Sequence, residues 1–252
     1  MSTTGSDPSS PRPIPRAQDQ LFRSGSALTK YSALIVGRPG LAAILKYELV
    51  VMATQSAPGA LGLFLRKVCY PWLLGRCGRN VVFGRNVVLR HPHKIRIGDN
   101  VVVDDNCLVD AKGDTNDGIE IGSGVFIGRN TILSCKNGDI SIADEANVGF
   151  NCEIFSASRV VIGRGTLLAA YTYLIGGDHE ATDRSIGVLE QRRQSKGITV
   201  GEGAWLGARV SVLDGVTIGD RAVVGAHAVV RSDIPAGATA VGVPARILST
   251  RD

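Results

Sequence analysis

Aromatic side chains are scarce in this chain: Phe, Trp and Tyr make up 5% of 252 residues, against 44% hydrophobic residues overall. The apolar content is therefore mostly Ile, Val, Leu and Ala, which suits a narrow interior rather than a broad globular core. The same scarcity leaves no stacking platform, and a net charge of +5 from scattered arginines supplies no basic groove, so a nucleic-acid partner is not expected. The five cysteines form no CxxC pair and no Cys/His ligand spacing, which argues against both a disulfide framework and a metal site. No run reaches the roughly 20 apolar residues of a membrane span. The longest uncharged stretch, Leu49 to Leu65, has 17 residues and is broken by Gln55, Ser56 and Pro58. The Ser/Pro-rich start lacks a signal-peptide pattern, so a reducing cytoplasm is the expected compartment, with the inner membrane face as a variant of it.

What is present is a six-residue rhythm. An aliphatic residue opens each unit at 77, 83, 89, then 97, 103, 109, then 121, 127, 133, and so on through 142–154, 162–174, 200–212 and 218–230. Of these 21 openers, 19 are Ile, Leu or Val, the exceptions being Cys77 and Phe83. A small residue or Val stands four places after many openers, and there Cys107 and Cys152 read as small buried hydrophobes. So strict a period predicts a solenoid in which each hexad is one strand and three hexads close one coil, giving about seven triangular coils. Within a triplet the spacing is always six; between triplets 2, 6, 3, 2, 20 and 0 residues are added, in order. Every irregularity thus falls on one corner of the prism. The 20-residue excursion after Leu174 is the first suspect for function, because long loops on a rigid scaffold are where function concentrates.

The ends read differently. Residues 1–26 are expected to be a disordered tail and residues 27–76 a helical cap, with one helix over 41–51 and a second opened by Pro58 and ended by Pro71. The cap is expected to cover the open end of the solenoid over 77–235, and residues 236–252 to close the other end. A peripheral contact of residues 41–74 with the membrane surface, helped by Lys46, Arg66 and Lys67, is the second reading of this region.

The stretch Val200 to Ala208, then Leu213 to Asp220, then Val230 to Arg246 with Asp233-Ile234-Pro235 and Gly242-Val243-Pro244-Ala245-Arg246, resembles the hexapeptide-repeat acyltransferases. The branch it resembles contains maltose, galactoside and exopolysaccharide O-acetyltransferases, and the similarity covers roughly residues 77–248. The resemblance implies an all-β, left-handed parallel β-helix; parallel crossovers are right-handed by default, so the hand rests on the resemblance alone. It also implies a homotrimer with each active site between two subunits, and acetyl-CoA or another acyl-CoA as co-substrate, with no metal.

In that branch a His stands at the root of a protruding loop before the Trp-containing coil. His179, in Gly176-Gly177-Asp178-His179-Glu180, matches this and opens the excursion singled out by spacing. Acyl transfer from a thioester to a hydroxyl needs a base, oxyanion donors and an acid for the leaving thiolate, and imidazole serves as base and then acid. Asp178, Glu180, Asp183 or equally a backbone carbonyl is expected to orient its second nitrogen, and Asp178 is also a candidate to bind the acceptor. The resemblance places the acyl carbonyl against a backbone N–H of the Gly207-Ala208 pair after Trp205, the pantetheine arm along Gly225 and Ala226, and phosphate near Arg246. Arg231-Ser232 stands where relatives carry Thr-Lys, which moves the phosphate contact toward Arg231. Asn151 and Glu153, with the polar column of Asp110–Asp117, Lys136–Asp139 and Ser156–Arg159 along the irregular corner, are candidates for a carbohydrate acceptor.

His91 and His93 lie four coils from His179, on the order of 19 Å at ~4.8 Å per coil, too far for cooperation within one chain. His227 either lines the cofactor path or faces solvent. The expected function is acetyl transfer to a hydroxyl of a sugar, glycolipid or polysaccharide precursor. N-acylation, drug modification and a non-catalytic scaffold are the alternatives. A γ-class carbonic anhydrase is disfavoured because His179 has no His neighbour with ligand spacing.

Overall fold

The computed structural model describes residues 25–179, 182–191 and 193–250, so the expected tail lies outside it except at Gly25 and Ser26. Three parallel sheets form the faces of a triangular solenoid, and the openers stack in register along each. On the first face Cys77, Ile97, Ile121, Ile142, Ile162, Val200 and Ile218 are successive partners. Phe83 to Val224 stack likewise on the second face, and Leu89 to Val230 on the third. Every opener except Cys77 is buried, so one Ile, Leu, Val or Phe per strand fills the narrow interior. Cys107 and Cys152 are buried among them, and burial pushes both thiols up to about 11.

The corners explain the rest of the hexad. At the first and second corners the residue three after the opener turns through the left-handed region, as at Asn80 (φ 56°), Asn100 (φ 57°) and Asn130 (φ 60°). Asn tolerates that conformation better than most residues. The Gly after an opener answers a different need. A Cβ on Gly78 would sit 2.4 Å from the Gly98 carbonyl carbon of the next coil, so only hydrogen fits. All insertions fall between the third face and the first, as spacing requires.

The solenoid continues beyond Pro235. Ile234 bridges to Ile218, and Ala238–Val241 adds an eighth strand to the second face before Arg246–Thr250 turns back antiparallel against it. There are therefore about eight turns rather than seven. The extra turn has no hexad signal because Ala240, fully buried, fills the opener position that Val224 and larger aliphatics hold in the coils before it.

At the opposite end the described residues form the α-helices α1 (Ala27–Tyr31), α2 (Leu41–Thr54) and α3 (Gly59–Cys69). Ser26 caps α1 by accepting from the Thr29 N–H at 3.2 Å. Helix α2 buries Ile44, Tyr47, Val50 and Thr54. Arg66 locks the region together. It is 1% exposed and donates to the carbonyl oxygens of Phe83 (2.9 Å), Thr54 (2.9 Å) and Ala57 (2.8 Å). Its expected place beside Lys46 and Lys67 at a membrane is thereby corrected: Arg66 points inward.

His91 and His93 also belong to this junction. His91 is buried, and its Nε2 lies 2.8 Å from the Ala33 carbonyl oxygen, so that nitrogen carries the proton. The two rings stack with centroids 6.1 Å apart. Burial lowers both pKa values, His93 to about 4, with Arg38 and Lys94 adding to the shift at His93. Such groups favour the folded state fully above the ordinary imidazole pKa near ~6.5, and that contribution is lost as pH falls toward the folded value. The urea midpoint should accordingly fall between about pH 6.5 and 4, with a shallower slope in His93→Gln; equal slopes would remove the histidines from the account.

Candidate active site

The chain leaves the third face after Tyr173–Gly176 and returns at Ile198–Val200. Between them it forms an antiparallel ribbon, Asp178–His179 against Arg193–Gln194, with His179 opposite Arg193. The side chains of Asp178 and His179, and all of Glu180, lie outside the described part of the structure. Residues 182–190 are exposed.

The root of this loop is fastened by Ser195, which sequence reasoning passed over, together with Ser158 of the polar column and Asp214. Ser195 Oγ lies 2.7 Å from Ser158 Oγ, 3.0 Å from the Gly176 carbonyl oxygen and 3.3 Å from Asp214 Oδ1. Asp214, one coil on, accepts the N–H groups of Lys196 at 2.7 Å and Gly197 at 2.9 Å. The signal was available: Asp214 sits in the Leu213-Asp214-Gly215 stretch, one hexad row above the returning strand. Asp183, a candidate to orient His179, instead accepts from the Ser185 N–H (2.8 Å) and hydroxyl (2.6 Å), which hold its carboxyl below the usual range.

The acyl-CoA candidates gather on the second corner of the last coils. Trp205 stands on the second face between Leu167 and Val223 and is half exposed. Gly207 donates its N–H to the Val224 carbonyl at 2.8 Å, and a Cβ there would lie 2.6 Å from the Ala226 nitrogen. Gly207-Ala208 and Gly225-Ala226 are thus stacked directly on one another. His227 occupies the left-handed position of that corner (φ 61°), is exposed, and donates its N–H to the Ala208 carbonyl at 2.8 Å.

The Ala208 N–H differs from the counterparts on which an Asp is stacked and matches those of Arg129, Phe150 and Ala170 on its own corner, which likewise find no acceptor among the described residues. At Arg79, Arg85, Ser123 and Glu202 the equivalent N–H is taken by an Asp one coil on: Asp99, Asp105, Asp144 and Asp220. Above Ala208 that place belongs to Ala226, which has no acceptor, and among the described residues nothing accepts from the Ala208 N–H. A free, fixed donor remains at a small-residue corner.

The other candidates are dispersed. Arg231 lies at the end of the third face and Arg246 at the start of the closing strand, both exposed; the one bond of the Arg246 guanidinium is donated to the Ala245 carbonyl. Asn151 is on the second corner, where its Oδ1 accepts from Asn130 Nδ2 at 3.1 Å, so it does not share a corner with the His179 loop. Within one chain Ala208 and His179 also stand on different corners. Much of the polar column faces itself: Asn137 Oδ1 accepts from the N–H groups of Asp114 and Thr115, and Asn116 Nδ2 donates to the Gly138 carbonyl.

Residues 197–232 match the family described as "Bacterial transferase hexapeptide (six repeats)", and residues 76–111 match "Hexapeptide repeat of succinyl-transferase". Rv3034c of Mycobacterium tuberculosis strain H37Rv, provisionally named an acetyltransferase, is 32% identical over 133 residues, 53% of this chain and 44% of its own length. WbbJ of Escherichia coli K12, provisionally named a lipopolysaccharide biosynthesis O-acetyl transferase, is 32% identical over 143 residues, 54% of this chain and 71% of its own. Among solved structures, a mutant of AntD, an N-acyltransferase from Bacillus cereus bound to dTDP and coenzyme A, aligns with a TM-score of 0.52 and 21% identity. That alignment covers 78% of this chain and 92% of AntD and concerns the fold alone.

Proposed function

Since the chain belongs to the hexapeptide-repeat acyltransferase family, we propose that it transfers an acetyl group from acetyl-CoA to a hydroxyl of a sugar, glycolipid or polysaccharide precursor. The observation that carries the reading is the free Ala208 N–H at a corner of small residues, beside Trp205. The thioester carbonyl lies against that donor, and pantetheine follows the shallow track left by Gly207, Gly225 and Ala226. Arg246 and Arg231 offer exposed guanidinium groups for phosphate. His179 removes the acceptor hydroxyl proton as the oxygen attacks the carbonyl carbon. The oxyanion of the tetrahedral intermediate is held by the Ala208 N–H; on collapse the C–S bond breaks and the imidazolium protonates the thiolate.

Because the His179 loop and the Ala208 corner are separated in one chain, the site is completed in a homotrimer, where the loop of one subunit meets the late coils of its neighbour. Asp178 and Asn151 are assigned to the acceptor side. Incubation with acetyl-CoA and a panel of sugars and glycolipids, read by mass spectrometry, tests the reading. A gain of one acetyl group that hydroxylamine removes is the expected result. Acetylation of amino sugars only, by a hydroxylamine-stable bond, would replace it with N-acyl transfer.

A further inference from the structure

Helix α2 is apolar on two opposite sides. Ile44, Tyr47 and Val50 face the solenoid, whereas Leu41, Leu45, Leu49 and Met52 are 52–80% exposed. The exposed set recurs every three or four residues and forms its own stripe. Helix α3 repeats the arrangement. It buries Gly62 and Arg66 and leaves Leu61, Phe64 and Val68 exposed on a second stripe, followed by Trp72 at 60% exposure. The two helices pack against each other. A helix with an apolar outer side needs a second apolar medium.

Charge identifies that medium. Residues 25–98 hold eleven Lys and Arg against a single acidic residue, Glu48; Arg66 is buried and Arg79 and Arg90 pair with Asp99 and Asp110, which leaves eight cations, whereas residues 99–250 hold 13 basic and 19 acidic residues, for a net −6. Even Glu48 is engaged, accepting from the Tyr31 hydroxyl. Exposed Lys46 adjoins Leu45 and exposed Lys67 adjoins Val68, so cations flank both apolar stripes. Their aliphatic stems can lie along apolar surface while the ammonium groups reach outward. We propose that α2 and α3 are a docking surface for an anionic lipid bilayer, with both helices lying in the interface and their Leu, Met and Phe side chains in the acyl region.

Other occupants fit less well. No described helix is long and apolar enough to cross a membrane, so the contact is peripheral. Residues 1–24 offer only Ile14, Leu21, Phe22 and Met1 as large apolar side chains, too few to cover both stripes. A second copy would bring two basic faces together, and like-charged surfaces repel. An anionic bilayer satisfies the apolar stripes and the cations at once.

Sedimentation of the full chain with vesicles tests the proposal. Binding is expected to phosphatidylcholine vesicles containing phosphatidylglycerol, and far weaker binding to phosphatidylcholine alone. Lys46→Gln and Lys67→Gln should each weaken binding roughly fivefold, the factor equivalent to about 1 kcal/mol per cation near an anionic surface. Leu45→Glu with Phe64→Glu should abolish it. Should that double variant misfold, Trp205→Phe leaves Trp72 as the sole indole, whose fluorescence brominated phosphatidylglycerol should quench. Wild-type protein left in the supernatant, or no quenching of Trp72, overturns the proposal. So does concentration-dependent self-association through this face without vesicle binding, which assigns it to a second copy.

Discussion

Replacement of His179 by Ala should lower kcat by roughly 10²–10⁴-fold, the usual contribution of a positioned general base, and leave acetyl-CoA affinity nearly unchanged. The separation follows from the architecture. His179 leaves the solenoid on a ribbon between the third and first faces, whereas Ala208, Gly225 and Ala226 lie on the corner between the second and third. Coenzyme A bound along the second corner loses no protein contact when the imidazole goes, but the attacking hydroxyl loses its proton acceptor. Folding should survive, because the loop beyond the ribbon is exposed and its root is held by Ser195 and Asp214 rather than by His179. The fall of kcat at low pH, where a general base is protonated and inactive, should also disappear in the variant. Rate measurements with acetyl-CoA binding by calorimetry check both halves. Unchanged turnover in folded His179→Ala removes His179 as the base; a large loss of acetyl-CoA affinity makes it a binding residue.

The repeat was legible because one opener per strand must enter a narrow interior, and a six-residue period leaves no other arrangement. The position of the 20-residue loop followed from counting alone. What could not be read was where the period weakens. Ala240 extends the stack without the Ile or Val that announces a strand, so the period ends one turn too early. Arg66 looked like a surface cation beside Lys67 because its three carbonyl partners come from distant segments, around residues 54–57 and at Phe83. The free Ala208 N–H depends on the absence of an Asp one coil later, a relation visible only once coils are stacked in register. The polar residues along the irregular corner resembled a glycan-binding column, but hydrogen bonds among Asn116, Asn137 and their neighbours knit adjacent insertions together. Short polar side chains serve turns and sugars alike, and sequence alone does not separate the two uses.

The same buried arginine gives the largest expected effect on stability. Arg66→Met keeps an unbranched stem but removes all three donors, leaving the carbonyls of Phe83 and Ala57 without them and that of Thr54 with only the Ala57 N–H at 3.3 Å. An unsatisfied buried acceptor costs about 1–3 kcal/mol. Removing a cation that has no carboxylate partner in the described structure relieves some desolvation, so the net loss should be about 3 kcal/mol. It should be confined to one end. Coils in a solenoid contact only their neighbours, so α2 and α3 can detach while the later coils stay paired. Hydrogen exchange should then accelerate in residues 41–69 and remain slow at Ile154, Leu174 and Val212. Catalysis should persist, because the cap lies about four coils, on the order of 19 Å at ~4.8 Å each, from the His179 loop. A uniform acceleration along the whole chain would mean that the cap and solenoid unfold as one unit, with Arg66 tying the fold together rather than fastening its end.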